Sequence, residues 1–227
     1  MNRSFAYLFM GISLLFFVTC QENREDLNEP SSESDQYRLI GEEIPFETGM
    51  DWIAHYRAQG QVEGRTDLVT SYNVPDSQMM FLLESVNDLV GVAFHYGLDE
   101  NGTKHIIVIP VDESLSLWAD IPGRIMVDAN TGNEISPETA SAWATNYKNE
   151  NPTTLWFHFF GAHIFNNMCA LSFFNTVSIE PAISSLNQKP QLLLIIYNDS
   201  LLNLGRSEQT QGVVYDASNA CPPCAVG

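Results

Sequence analysis

Positive charge is what this chain has least of. Its 227 residues carry 10 Lys plus Arg against 28 Asp plus Glu, a formal net charge of −18. A nucleic-acid binder must neutralise phosphates with a basic surface, so no nucleic acid is expected as a partner. The same imbalance removes an electrostatic hold on anionic headgroups. Motifs of common chemistry are missing too: no Gly-x-Ser-x-Gly, no His-Glu-x-x-His and no glycine-rich phosphate loop. Asp99-x-Asn101-Gly102 and Asp128-x-Asn130-x-Gly132 alternate oxygen ligands, but both lack the closing Glu of a calcium loop and read as turns. The expectation is no catalytic residue, no cofactor and no metal.

Cysteine is also scarce, with only Cys20, Cys169, Cys221 and Cys224. Cys221-Pro222-Pro223-Cys224 has redox spacing. A redox pair needs a helix N-terminus to lower its thiol pKa, and so little chain follows this one that a disulfide is expected instead. It would join Cys221 to Cys224, or one of them to Cys169. Of the histidines, His95 and His105 lie in one hairpin. A two-residue Asn101-Gly102 turn would set Leu98 opposite His105 and His95 opposite Val108. The two imidazoles would then point to opposite faces.

Long apolar runs are confined to the start. Residues 5–19 are almost wholly apolar, follow Arg3 and end at Cys20. That length suits the core of a signal peptide and is short for a membrane span. Phe17-Val18-Thr19-Cys20 resembles a bacterial lipobox, which implies a signal peptide over 1–19 and lipid, palmitate included, on Cys20. Gln21 in place of Asp favours the outer membrane over inner-membrane retention. Residues 20–38 are acidic, rich in Ser and poor in aliphatics, and read as a disordered tether. The acidic stretch after Cys20 also resembles the surface-export signal of Bacteroidota lipoproteins.

What the chain does have is an internal echo. In residues 46–57, Glu47, Thr48, Trp52, Tyr56 and Arg57 match Glu138, Thr139, Trp143, Tyr147 and Lys148 of residues 137–148. Trp and Tyr stand four apart both times, on one helical face. Ser136 suits an N-cap and Pro137 the first helical position. Met79-Met80-Leu83 matches Ile164-Phe165-Met168 at helical spacing. Residues 106–112 match 193–199, and 124–129 match 212–217, always in the same order. The first hairpin is the clearest element. Val90, Val92, Phe94, Tyr96 and Leu98 alternate with smaller or polar residues, and Asn101-Gly102 turns the chain into Ile106-Ile107-Val108-Ile109.

These patterns predict an α+β fold of two tandem repeats, residues 39–132 and 133–227, each with helices packed on an antiparallel β-meander. The second would carry the Cys-rich tail. The repeated Trp-x-x-x-Tyr helix, the Gly-x-x-x-Tyr-x-Gly-like hairpin at Gly91–Gly97 and the closing Cys-Pro-Pro-Cys resemble an uncharacterised group of Bacteroidota lipoproteins and exported proteins. That resemblance implies architecture and location and brings no activity with it.

Two functions fit. One is a non-catalytic binding or interaction module, held at the outer membrane or cell surface by the Cys20 lipid, with a protein, glycan or peptide as ligand. The other is an extracytoplasmic hydrolase with a carboxylate-based site outside known motifs. Trp118, Trp156 and Phe159 are the aromatics that would contact a ligand if exposed. Trp52 and Trp143 are expected to be mostly buried, as the packing faces of their helices.

Overall fold

The computed structural model describes residues 32–62, 71–117, 123–198, 212–216 and 220–221. Cys20 and Trp118, with Cys224, lie outside them. Residues Ser32–Gly227 form one compact unit.

Helix α1 (Glu33–Arg38) opens the fold. Strand β1 (Glu42–Ile44), helix α2 (Phe46–Val62), strand β2 (Tyr72–Pro75) and helix α3 (Asp76–Glu84) follow. Strands β3 (Gly91–Leu98), β4 (Lys104–Val111) and β5 (Met126–Asp128) come next. The second half runs β6 (Asn133–Ile135), α4 (Pro137–Glu150), β7 (Phe157–Gly161), α5 (Ala162–Cys169), β8 (Thr176–Ile183), β9 (Pro190–Tyr197) and β10 (Gly212–Asp216), then β11 (Ala220–Cys221). From β1 to β5 and from β6 to β10 the order is the same. The fold is α+β, with two antiparallel sheets.

The sheets do not follow the halves. One is ordered β1-β10-β9-β8-β2, the other β11-β7-β3-β4-β5-β6. Each takes a hairpin and third strand from one half and the strands that flank them from the other, two in the first sheet and three in the second. Thus β2 pairs with β8, Tyr72 opposite Ile179, while β7 pairs with β3, His158 opposite Phe94. Strands from residues 39–132 and 133–227 are thus interleaved in both sheets. Alternation of side chains could not reveal this, because it fixes a strand's buried face and not its neighbour.

The sheets face each other across the main core. Val92, Phe94, Ile106 and Val108 from one sheet meet Val177, Ile179, Leu192 and Leu194 from the other. Met79 and Leu82 of α3, with Ile164, Phe165 and Met168 of α5, fill the same core. Trp52 and Ile53 of α2 cover the outer face of the first sheet at Leu193, Ile195 and Val214. Ala140 and Ala144 of α4 cover the second at Ala93, Ile107 and Ile109. Both sheets are therefore buried on two sides, which is why β4 and β9 are continuous apolar runs.

Two local expectations change. The tether was expected to reach residue 38, but Ser32 caps α1 through a capping box with Asp35. Tyr37 packs edge-on against Phe159 at 5.7 Å, and the Arg38 guanidinium donates to the Leu89 carbonyl. These contacts order a sequence that its composition alone would leave loose. The first hairpin turn is also longer than two residues. Asp99 Oδ1 accepts from the Asn101 and Thr103 amides, and Gly102 takes φ +79°. Lys104 then lies opposite Leu98 and His105 opposite Gly97. A slip of one residue turns side chains to the other face, so His95 and His105 share the outer face instead of opposing ones.

Because β1 and β2 pair only with strands of the second half, and β6 only with a strand of the first, neither half is expected to fold alone. Fragments 32–132 and 133–227, expressed separately, should lack cooperative thermal unfolding and near-ultraviolet dichroism. Mixed or co-expressed, they should regain both. A cooperative transition in either fragment by itself would contradict the interleaving.

Candidate functional site

The repeated helix motif places a tryptophan on a sheet and a tyrosine at the edge of a cleft. In α2, Trp52 is 4% exposed and its indole N–H donates to Ser185 Oγ at 3.0 Å. In α4, Trp143 stacks on His105 at 4.0 Å between ring centres and is partly buried. Both tryptophans are thus mostly buried as expected, Trp52 within the core and Trp143 packed against its edge. Gly97 explains the close seat of α4. A Cβ there would come within 3.1 Å of both Trp143 Cβ and Ile107 Cδ1. One helical turn beyond each tryptophan, Tyr56 and Tyr147 reach the open end of the sandwich, beside the hairpin loops.

There the two tyrosines join Tyr72 and Tyr96 around a cavity of about 350 Å³. Pro181, Ile183 and Pro190 form an apolar wall, while Gln59, Asn151, Thr154 and Gln191 supply amides and a hydroxyl. Lys104 is the only charged residue lining it among the described residues. Tyr96 stacks on Tyr147 at 5.3 Å, with the rings 23° apart. Its hydroxyl meets Nε2 of the fully buried His158 at 3.1 Å. Burial lowers the His158 pKa to about 3, so its imidazole is neutral at physiological pH. Burial also raises the pKa of Tyr72, Tyr96 and Tyr147. These phenols keep their protons and act as hydrogen-bond donors and stacking faces, not as bases or nucleophiles.

The aromatics singled out from the sequence lie elsewhere. Phe159 is fully buried among Val90, Ala93 and Ile109, with no surface to offer a ligand. Trp156 is half-buried behind the cleft, with Lys148 Nζ 4.8 Å above its ring. Its carbonyl accepts from the Tyr96 amide at 2.9 Å, so it braces the site's wall. The backbone of Cys221 pairs with Phe157. Cys169 is an exposed free thiol, with its Sγ 3.3 Å from the sulfur of Met80.

Several of the buried charged groups have structural partners. His105 Nδ1 meets Asp128 Oδ1 at 3.0 Å, and the Thr131 hydroxyl donates to the same carboxylate at 2.8 Å. The His95 imidazole bonds the Leu117 carbonyl and stacks on Phe157 at 4.7 Å. Glu180 accepts from Ser178 at 2.9 Å and pairs with Arg57 at 3.4 Å. No group of three His, Cys, Asp or Glu among the described residues is placed to hold a metal. No carboxylate lines the cleft among the described residues, so the pair of acids that a hydrolase of the expected kind requires is not assembled there.

The site was half visible in the sequence. Trp-x-x-x-Tyr marked both helices, but only the strand exchange brings Tyr56 and Tyr147 to one cavity with Tyr72 and Tyr96. Stability should separate the members of each motif. Trp52→Ala empties a core site and should cost about 3–5 kcal/mol. Trp143→Ala loses a half-buried stacked ring and should cost roughly 2 kcal/mol. Urea denaturation measures both, and equal costs would contradict this assignment.

Comparison with protein-family models, with curated proteins and with solved structures finds no match for this chain.

Proposed function

We propose that this protein is a non-catalytic binding module, held at the outer membrane or cell surface by a lipid on Cys20. The observation that carries the binding reading is the tyrosine-walled cleft of about 350 Å³. That volume falls in the range of small-molecule sites, which are mostly apolar with a few placed polar groups. Its phenols are held protonated and no carboxylate lines it among the described residues, which favours binding over hydrolysis.

The unit arose by tandem duplication, on this reading. The recurring order β-α-β-α-β-β-β supports it, as does the pairing register. Gly91 stands opposite Gly161 where β7 passes into α5, and Thr176 opposite Pro75 where β2 passes into α3. Counting from those pairs, Tyr96 corresponds to Pro181 and Lys104 to Pro190. The cleft sits where the two copies meet.

No helix among the described residues is long and apolar enough to cross a membrane. On this reading the anchor is the lipid on Cys20. Cells fed radiolabelled palmitate should label the wild type and not Cys20→Ala; label on the variant would end the lipid-anchor reading. For the cleft, a glycan and peptide array probed with the chain from Gln21 should give signals that Tyr56→Ala/Tyr147→Ala abolishes. Signals of equal strength from a folded double variant would remove the cleft from the proposal.

A further inference from the structure

We propose that the cleft takes an acidic sugar, a pyranose ring bearing one carboxylate. This rests on the cleft being a binding site and adds the class of ligand.

The first observation is that its two walls are chemically unlike. Corresponding backbone positions carry Tyr96 and Lys104 on one sheet but Pro181 and Pro190 on the other. One wall offers a phenol and an ammonium; the other is apolar and includes Ile183. A ligand that suits both has a polar edge with an anionic group and a C–H face. A pyranose ring presents its C–H face to aromatic and proline surfaces and its hydroxyls at the edge.

The second observation is the lining of amides. Gln59, Asn151 and Gln191 both donate and accept, as a sugar hydroxyl does. Gln191 is 8% exposed, and its Oε1 has no hydrogen-bond partner among the described residues. An unsatisfied buried acceptor is destabilising, and a ligand hydroxyl donating to it would offset that cost.

The third is charge. The chain is formally −18 overall, yet Lys104 lines the cleft and no carboxylate does among the described residues. Arg57, Lys148 and Lys189 each adjoin a lining residue in sequence, and so do Glu150 and Glu180. Glu180 pairs with Arg57 at 3.4 Å. A cation in the lining of a cleft on an otherwise acidic protein favours an anion there.

Calorimetric titration of the chain from Gln21 with three probes tests this: digalacturonate, the neutral digalactoside and a Glu-rich hexapeptide. Digalacturonate should bind at least about tenfold more tightly than the digalactoside, and weaken between about 0.05 and 0.5 M salt. Lys104→Met should bring the two sugars level, while Lys104→Arg keeps the preference. Gln191→Leu should weaken both sugars, and Tyr147→Ala should abolish them, in variants whose circular dichroism and melting match the wild type. Equal binding of the two sugars by the wild type overturns the carboxylate. Tyr147-dependent binding of the hexapeptide alone overturns the sugar and leaves the cleft as a binding site. If no probe binds in a Tyr147-dependent way, this inference and the use of the cleft both fall.

Discussion

The pairing of β2 with β8 and of β7 with β3 is the constraint on which the rest depends. Through it each half of the chain supplies the flanking strands of the other half's hairpin. The two sheets thereby stand face to face, and neither half of the chain can leave without stripping backbone hydrogen bonds from the other. Buried on the inside by each other and on the outside by α2 or α4, the central strands carry apolar side chains on both faces. The long-range pairing also carries a kinetic implication, since contacts distant in sequence form slowly.

The same constraint sets the chemistry of the cleft. Duplicated units that merely stood side by side would bring Tyr56 and Tyr147 near their own sheets only. Interleaving lets one helix end, one hairpin and one flanking strand from each half converge. Side chains at corresponding positions have since diverged, on the duplication reading. His95 on β3 corresponds to Glu180 on β8, and both are buried beneath the helix that covers them. The basic residue of that helix has followed a different course in each. Arg57 pairs with Glu180 at 3.4 Å, whereas Lys148 lies over Trp156.

Much of the element order was legible. The Ser136 cap, the Pro137 start and the first hairpin needed only local rules, and the structure follows them. Local rules also erred by one residue at Asn101-Gly102, where Asp99 side-chain bonds lengthen the turn. The short strands β1 and β6 were not foreseen, because three residues give too little alternation to register. The exchange of strands leaves no mark in periodicity at all. That is why Phe159, on an aromatic run, read as a contact although it is sealed in the core. For the same reason Tyr96 passed as one more alternating residue of a hairpin.

The docking of α1 has a directional meaning. Gly161 permits it, for a Cβ there would collide with the carbonyls of Tyr37 and Arg38. The His163 imidazole then bonds the Arg38 carbonyl at 2.8 Å and that of Gly41 at 3.1 Å. This seam lies at the Gly91 end of β3, while Tyr96 opens on the cleft some 17 Å farther along at about 3.3 Å per residue. Helix α1 thus docks at one end of β3 and the cleft opens at the other, so the fold keeps its docking seam and its mouth apart.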